Sequence, residues 1–125
     1  MDLAAGLSAS VELTVAEVDT ARAMGSGDVP VLATPRVVAL CEEATLRAID
    51  GHLAAHLTTV GMRVELDHVQ PTGVGSLVIA EATLKRVEGR RLTFTVSVLD
   101  PGGLVAAGKV TRVVVDRDRF LDKAH

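Results

Sequence analysis

Tryptophan and tyrosine are absent from this chain of 125 residues, and phenylalanine occurs only twice. Proteins that hold nucleic acids stack bases on aromatic rings and meet phosphates with basic patches. With two rings, and 13 basic against 16 acidic residues, the chain is poorly equipped for either. Nucleic acid is not an expected partner. The single cysteine, Cys41, forbids an intrachain disulfide and suits a reducing compartment. It also excludes metal sites built on cysteine clusters. No segment approaches the roughly 20 unbroken apolar residues of a membrane span. The opening MDLAAGLSAS carries Asp2 where a secretory signal would carry Lys or Arg, and its apolar run is short. A cytoplasmic protein without membrane contact is expected.

What is present is aliphatic: 20 Val, 17 Ala and 15 Leu. Hydrophobic residues make up 48% and charged residues 23%, a balance that excludes a disordered tail. The length suits one core, and no linker or repeat divides it, so residues 1–125 are read as a single domain.

The order of elements follows from hydrophobic period. Ser8 to Val18 alternates loosely, with Val11, Leu13 and Val15 on one side, and reads as a strand. Two glycines and a proline between Ala23 and Pro30 mark a loop. Ala33-Thr34-Pro35 is a helix start, with Thr34 as N-cap and Pro35 at the first helical position. Val37, Val38, Cys41, Ala44, Thr45, Ala48 and Ile49 then recur at helical spacing, and the helix is expected to end between Asp50 and His56. From Leu57 the period is two, with Val60, Met62, Val64, Leu66 and His68 on one face. Leu77–Val87, Arg91–Leu99 and Leu104–Val115 are three further strands, separated by Glu88-Gly89-Arg90 and by Asp100-Pro-Gly-Gly103. The expectation is an α+β protein: one strand, one long helix, then four strands in a meander.

Two ionisable groups lie where apolar ones belong. At 100° per residue from Val37, Glu42 falls at about 140°, between Ile49 and Leu53, whereas Glu43 falls at about 240°, beside Arg47 and Asp50. Glu43 therefore reads as a solvated partner of Arg47. Glu42 points toward the apolar side, within expected reach of Thr34 or His68. His68 shares the register of the strand face that covers the helix. A carboxylate and an imidazole entering one interface from opposite layers are candidates for acid–base work. Taken singly each has a plain structural role: a bonded core histidine, a glutamate reaching out to water, a threonine cap.

Other features carry less. His52 and His56 are four apart, but Gly51 and the helix end intervene and no third ligand is placed, so no metal is expected. Gly73-Val-Gly75 lacks the third glycine and the helix of a dinucleotide loop. Cys41 reads as packing, and Arg90-Arg91 as a solvated basic spot that a phosphate could use.

Ala33-Thr34-Pro35, Leu40-Cys-Glu42-Glu-Ala44, Gly61-x-x-Val64-x-x-x-His68 and Val87-Glu-Gly-Arg-Arg-Leu92-x-Phe94, in this order, resemble the fluoroacetyl-CoA thioesterase-like branch of the hot-dog thioesterases. The likeness runs from about Ser8 to Phe120. It implies a hot-dog fold: a five-stranded antiparallel sheet wrapped around one long central helix. It implies a catalytic Thr34, Glu42 and His68, a backbone at Gly61 facing the thioester carbonyl, and Arg112 near the acyl-CoA. It also implies a homodimer or higher homo-oligomer joined edge to edge, with sites near the interface. An unpaired sheet edge points the same way. Gly25 to Leu32 has no counterpart to the aromatic gate of the family's namesake, and Val110 stands where relatives often carry a polar residue.

The expected function is hydrolysis of a small acyl-CoA, with coenzyme A part of the substrate and no other cofactor. His68 is the general base, Glu42 the nucleophile or a base activating water, and Thr34 the hydroxyl partner, with the nucleophile left open between Glu42 and Thr34. The alternative is a hot-dog module that binds acyl-CoA or another small ligand without cleaving it.

Overall fold

The computed structural model describes residues 2–125. Its elements are β1 (Ser8–Thr14), α1 (Ala21–Met24), α2 (Thr34–Ala48), β2 (Leu57–His68), β3 (Leu77–Glu88), β4 (Arg91–Asp100), β5 (Gly103–Asp116) and α3 (Arg117–Lys123). The four later strands lie within a residue of where alternation puts them. The short α1 and α3 offer too few residues for a helical period to register.

All pairings are antiparallel, in the order β1-β3-β4-β5-β2. Only β3, β4 and β5 form the expected meander. β2 pairs instead with β5 at the far edge, and β3 takes β1 as its second neighbour. The reason lies in the connections. Gly89-Arg90 and Pro101-Gly102 close tight hairpins, with Gly89 at φ 61° and Gly103 at φ 120°. Residues 69–76, between β2 and β3, are too long for such a hairpin; they carry the chain across the end of the sheet, and their own tight turn at Val74-Gly75, with Gly75 at φ 93°, leads into β3.

β1 also ends earlier than alternation suggests, at Thr14 rather than Val18. A 3-10 turn at Glu17–Asp19 replaces the ladder because the Asp19 carboxylate accepts the Ala16 N–H at 2.9 Å. At the other end of the helix, α2 stops at Ala48, with Gly51 at φ 79° turning the chain away. The expected end between Asp50 and His56 is too late.

α2 lies on the concave face of the sheet. Val37, Leu40, Cys41, Ala44, Thr45 and Ala48 are buried against it, and β4 alternates in perfect register, with Leu92, Phe94, Val96 and Val98 inward. Each fully buried side chain of this size stabilises the fold by about 1.5–3 kcal/mol. Phe94 is wholly buried and, among the described residues, is the only aromatic side chain in the core. Register shifts at Met62 in β2, Lys85 in β3 and Val105 in β5 bend the strands, which is how a short sheet curls around a helix. No helix among the described residues is long and apolar enough to cross a membrane.

Candidate active site

Thr34 is not the cap of α2. Ala33 occupies the N-cap position without a side-chain bond, Thr34 is the first helical residue, and Pro35 follows it inside the first turn. The hydroxyl is thereby released from the helix, and its Oγ1 lies 2.8 Å from His68 Nδ1. Backbone bonds bring the two together. Leu32 N–H donates to the Thr72 carbonyl at 2.8 Å, Val31 bridges to Gly73, and Ala33 N–H donates to the Asp19 carbonyl at 2.9 Å. The entrance of α2 is thus tied to the chain leaving β2, whose last residue is His68. Asp19, buried, also accepts from Arg36 Nε at 3.0 Å and fixes the first turn. Spacing gave no sign of this Asp19–Arg36 brace, because its partners are 17 residues apart.

Thr34 is exposed and His68 half-buried. Among the described residues, His68 Nε2 is a buried side-chain polar atom without a hydrogen-bond partner. When the Thr34 hydroxyl donates to Nδ1, the ring proton resides on Nε2 and needs an acceptor.

Glu42 and Glu43 diverge on the helix much as their angles require. Glu43 meets Arg47 at 3.4 Å, one turn along in the solvent. Glu42 turns to the sheet, but its side chain retains 35% exposure and its partner is neither Thr34 nor His68. Its Oε2 accepts from Arg112 Nη1 at 3.0 Å. Arg112 is buried on β5 and also donates through Nε to Thr59 Oγ1 at 2.9 Å and through Nη2 to the Thr59 carbonyl at 3.1 Å. Burial pushes the Arg112 guanidinium below its usual range, and the charge and hydrogen bond of Glu42 pull it back up. Arg112 therefore acts first on Glu42, setting the position of its carboxylate.

Gly61 belongs to the same cluster. It pairs with Arg112 across the ladder, and a Cβ there would stand 2.5 Å from Glu42 Oε2. Its missing side chain makes room for the carboxylate. The face that Gly61 shares differs from simple alternation, since a bulge at Met62 shifts the register between Gly61 and Arg63. Thr59 and Gly61 face the helix before the bulge; Val64, Leu66 and His68 do so after it. Val60 and Met62 do not, and Met62 is exposed.

Five sequence-selected residues thus fall into two groups within the chain: Thr34 with His68, and Glu42 with Gly61 and Arg112. Eight residues of α-helix separate Thr34 from Glu42 by about 12 Å. Seven residues of strand separate Gly61 from His68 by about 23 Å. His52 and His56 lie beyond the helix end, where the His52 ring contacts the Asp2 carbonyl at 3.1 Å. Among the described residues no group of three or more His, Cys, Asp or Glu side chains is placed to hold a metal. Cys41 is buried, and burial with the nearby Glu42 charge raises its thiol to about 11. Arg90 and Arg91 are exposed at their hairpin.

A curled antiparallel sheet holding one central helix is the hot-dog architecture, here with a hydroxyl–imidazole pair at the helix entrance. Within that class, the chain belongs to the fluoroacetyl-CoA-specific thioesterase family, whose model matches residues 15–118. It is 33% identical over 90 residues to the fluoroacetyl-CoA thioesterase of Streptantibioticus cattleyicolor, covering 72% of this chain and 65% of that protein. The match therefore spans just under two thirds of that relative's length. A solved fluoroacetyl-CoA thioesterase superposes with a TM-score of 0.91 at 28% identity, over 98% of this chain and 95% of that one. A thioesterase superfamily member from Thermus thermophilus gives 0.88 at 26% identity, over 96% of this chain and 89% of that one.

Proposed function

We propose that the protein is a cytoplasmic acyl-CoA thioesterase that works as a homodimer, with each site completed across the subunit interface. The observation that carries this reading is the Thr34–His68 contact at 2.8 Å, with the far nitrogen of the imidazole buried and unpartnered. A hydroxyl held on an imidazole is an activated nucleophile, and the imidazole then needs an acceptor for its other proton. The carboxylate suited to that task, Glu42, is paired with Arg112 in a different part of the same protomer.

The free edge of β2 supports joining two copies. It is a strand of 12 residues with β5 on one side only, and an uncovered edge of that length invites another chain. A two-fold axis at Glu65 would pair two β2 strands antiparallel, since Gly61 and His68 are each three ladder steps from it once the bulged Met62 is passed over. His68 of one protomer then lies opposite Gly61 of its partner, beside the partner's Glu42. Each dimer would hold two sites, with Thr34 and His68 from one chain and Glu42, Gly61 and Arg112 from the other.

In that site His68 takes the Thr34 hydroxyl proton as the oxygen attacks the thioester carbonyl. Glu42 accepts the hydrogen bond from Nε2, and backbone N–H groups around Gly61 receive the developing oxyanion. Collapse breaks the carbon–sulfur bond, and His68 returns the proton to the thiolate. Water then repeats the sequence on the acyl-threonine and releases the carboxylic acid. Coenzyme A enters as part of the substrate, and the scheme needs no other cofactor.

The test is thiol release from short acyl-CoAs at pH 7 to 8. Turnover by the wild type and its loss in His68→Ala supports the assignment. Binding of acyl-CoA without thiol release from any chain length makes the protein a binding module and overturns it.

A further inference from the structure

A cavity of about 330 Å³ opens beside Thr34 and His68. Its floor is Leu32 and Ala21, both buried, and its walls are Val29, Val31, Val69 and Pro71. Two small residues set its depth, since Gly27 rests on Ala21 so closely that a Cβ at position 27 would come within 3.2 Å of the alanine methyl. No ring narrows it. Among the described residues, no charged side chain lines it either; its polar groups beyond the reacting pair are Ser26 and Gln70, both exposed.

We infer that this cavity receives the acyl chain, and that the preferred substrates carry an uncharged aliphatic chain longer than acetyl. The inference rests on the thioesterase reading above. At Thr34 the thioester divides into an acyl branch and a pantetheine branch. Beyond exposed Ser26 and Gln70, the lining offers no further side-chain partner for the amides of a buried pantetheine arm, whereas a methylene chain gains from every aliphatic wall it covers. An acyl group ending in a carboxylate would bring a charge into a cavity with no counter-charge.

The experiment is kcat/KM for acetyl-, butyryl-, hexanoyl- and succinyl-CoA with the wild type, Ala21→Leu and Val29→Phe. Each buried methylene raises kcat/KM about fourfold, so hexanoyl-CoA exceeds acetyl-CoA by about tenfold or more even when only part of the chain is covered. Succinyl-CoA falls below butyryl-CoA. Ala21→Leu raises the floor and lowers hexanoyl turnover at least about tenfold more than acetyl turnover. Val29→Phe, on the exposed wall, tests the same point where the floor variant fails to fold. Acetyl-CoA as the best substrate of an active wild type overturns the inference and leaves the thioesterase reading standing. An equal rise in KM for every acyl-CoA in the variants gives the cavity to the pantetheine arm, and dissociation of the dimer gives it to the interface; either result overturns the inference. No thiol from any substrate overturns the thioesterase reading beneath it.

Discussion

The Thr34 hydroxyl is available to His68 because the helix leaves it free. A threonine one position earlier, at the N-cap, would spend its oxygen on a backbone N–H; at the first helical position it points away and meets His68. Sequence could place Thr34 at the entrance of the helix but not choose between those positions, since helix ends shift by a residue or two with local backbone bonds. The split between Glu42 and Glu43 was legible because it depends only on helical angle. The identity of the Glu42 partner was not, because Arg112 lies 70 residues away. His68→Ala is expected to lower thioester hydrolysis by about 10²–10⁴-fold, as removal of a positioned base does, with circular dichroism unchanged. Glu42→Gln should cause a loss of similar order in the same assay, and Glu43→Gln, whose charge meets only Arg47 in solvent, should retain activity. Cys41 should resist alkylation at pH 8 in the folded protein and react once denatured, because burial holds its thiol near 11.

At the scale of elements, β2 departs most from its pattern. Five apolar or imidazole side chains at period two read as one face, but the bulge at Met62 splits them. Period alone cannot reveal an inserted residue, since both halves alternate correctly. The shift is what lets Gly61 and His68, seven residues apart, both face the helix. Gly61→Ala should push the Glu42 carboxylate off Arg112 and lower kcat by about a hundredfold, the cost of misplacing a catalytic group by an ångström. Far-UV circular dichroism should stay native; full activity would contradict the role given to this glycine. Gly108 tests packing instead. A methyl there would fall on the Glu65 carbonyl of β2, so Gly108→Ala should destabilise the fold by about 1–3 kcal/mol or more in urea titration.

For the whole molecule, the strand order was legible only where turns are tight. Pro101-Gly102 and Gly89-Arg90 declare their hairpins, while Pro71-Thr72-Gly73 marks the end of β2 without showing whether the chain turns back on it or crosses the sheet. That crossing sends β2, with Gly61 and His68, to the edge of the sheet, which the proposed dimer joins to a second copy. In the proposed dimer the two groups of site residues, about 12 Å apart along α2 within one chain, meet across the subunit interface. The most direct measurement mixes inactive His68→Ala and Glu42→Gln homodimers, lets them exchange subunits, and follows thiol release. A site shared between subunits predicts recovery to about a quarter of the wild-type rate, since half the dimers are mixed and each mixed dimer holds one intact site. A mixture that exchanges subunits and yet stays at the level of its parents would place each site within one chain and contradict the account.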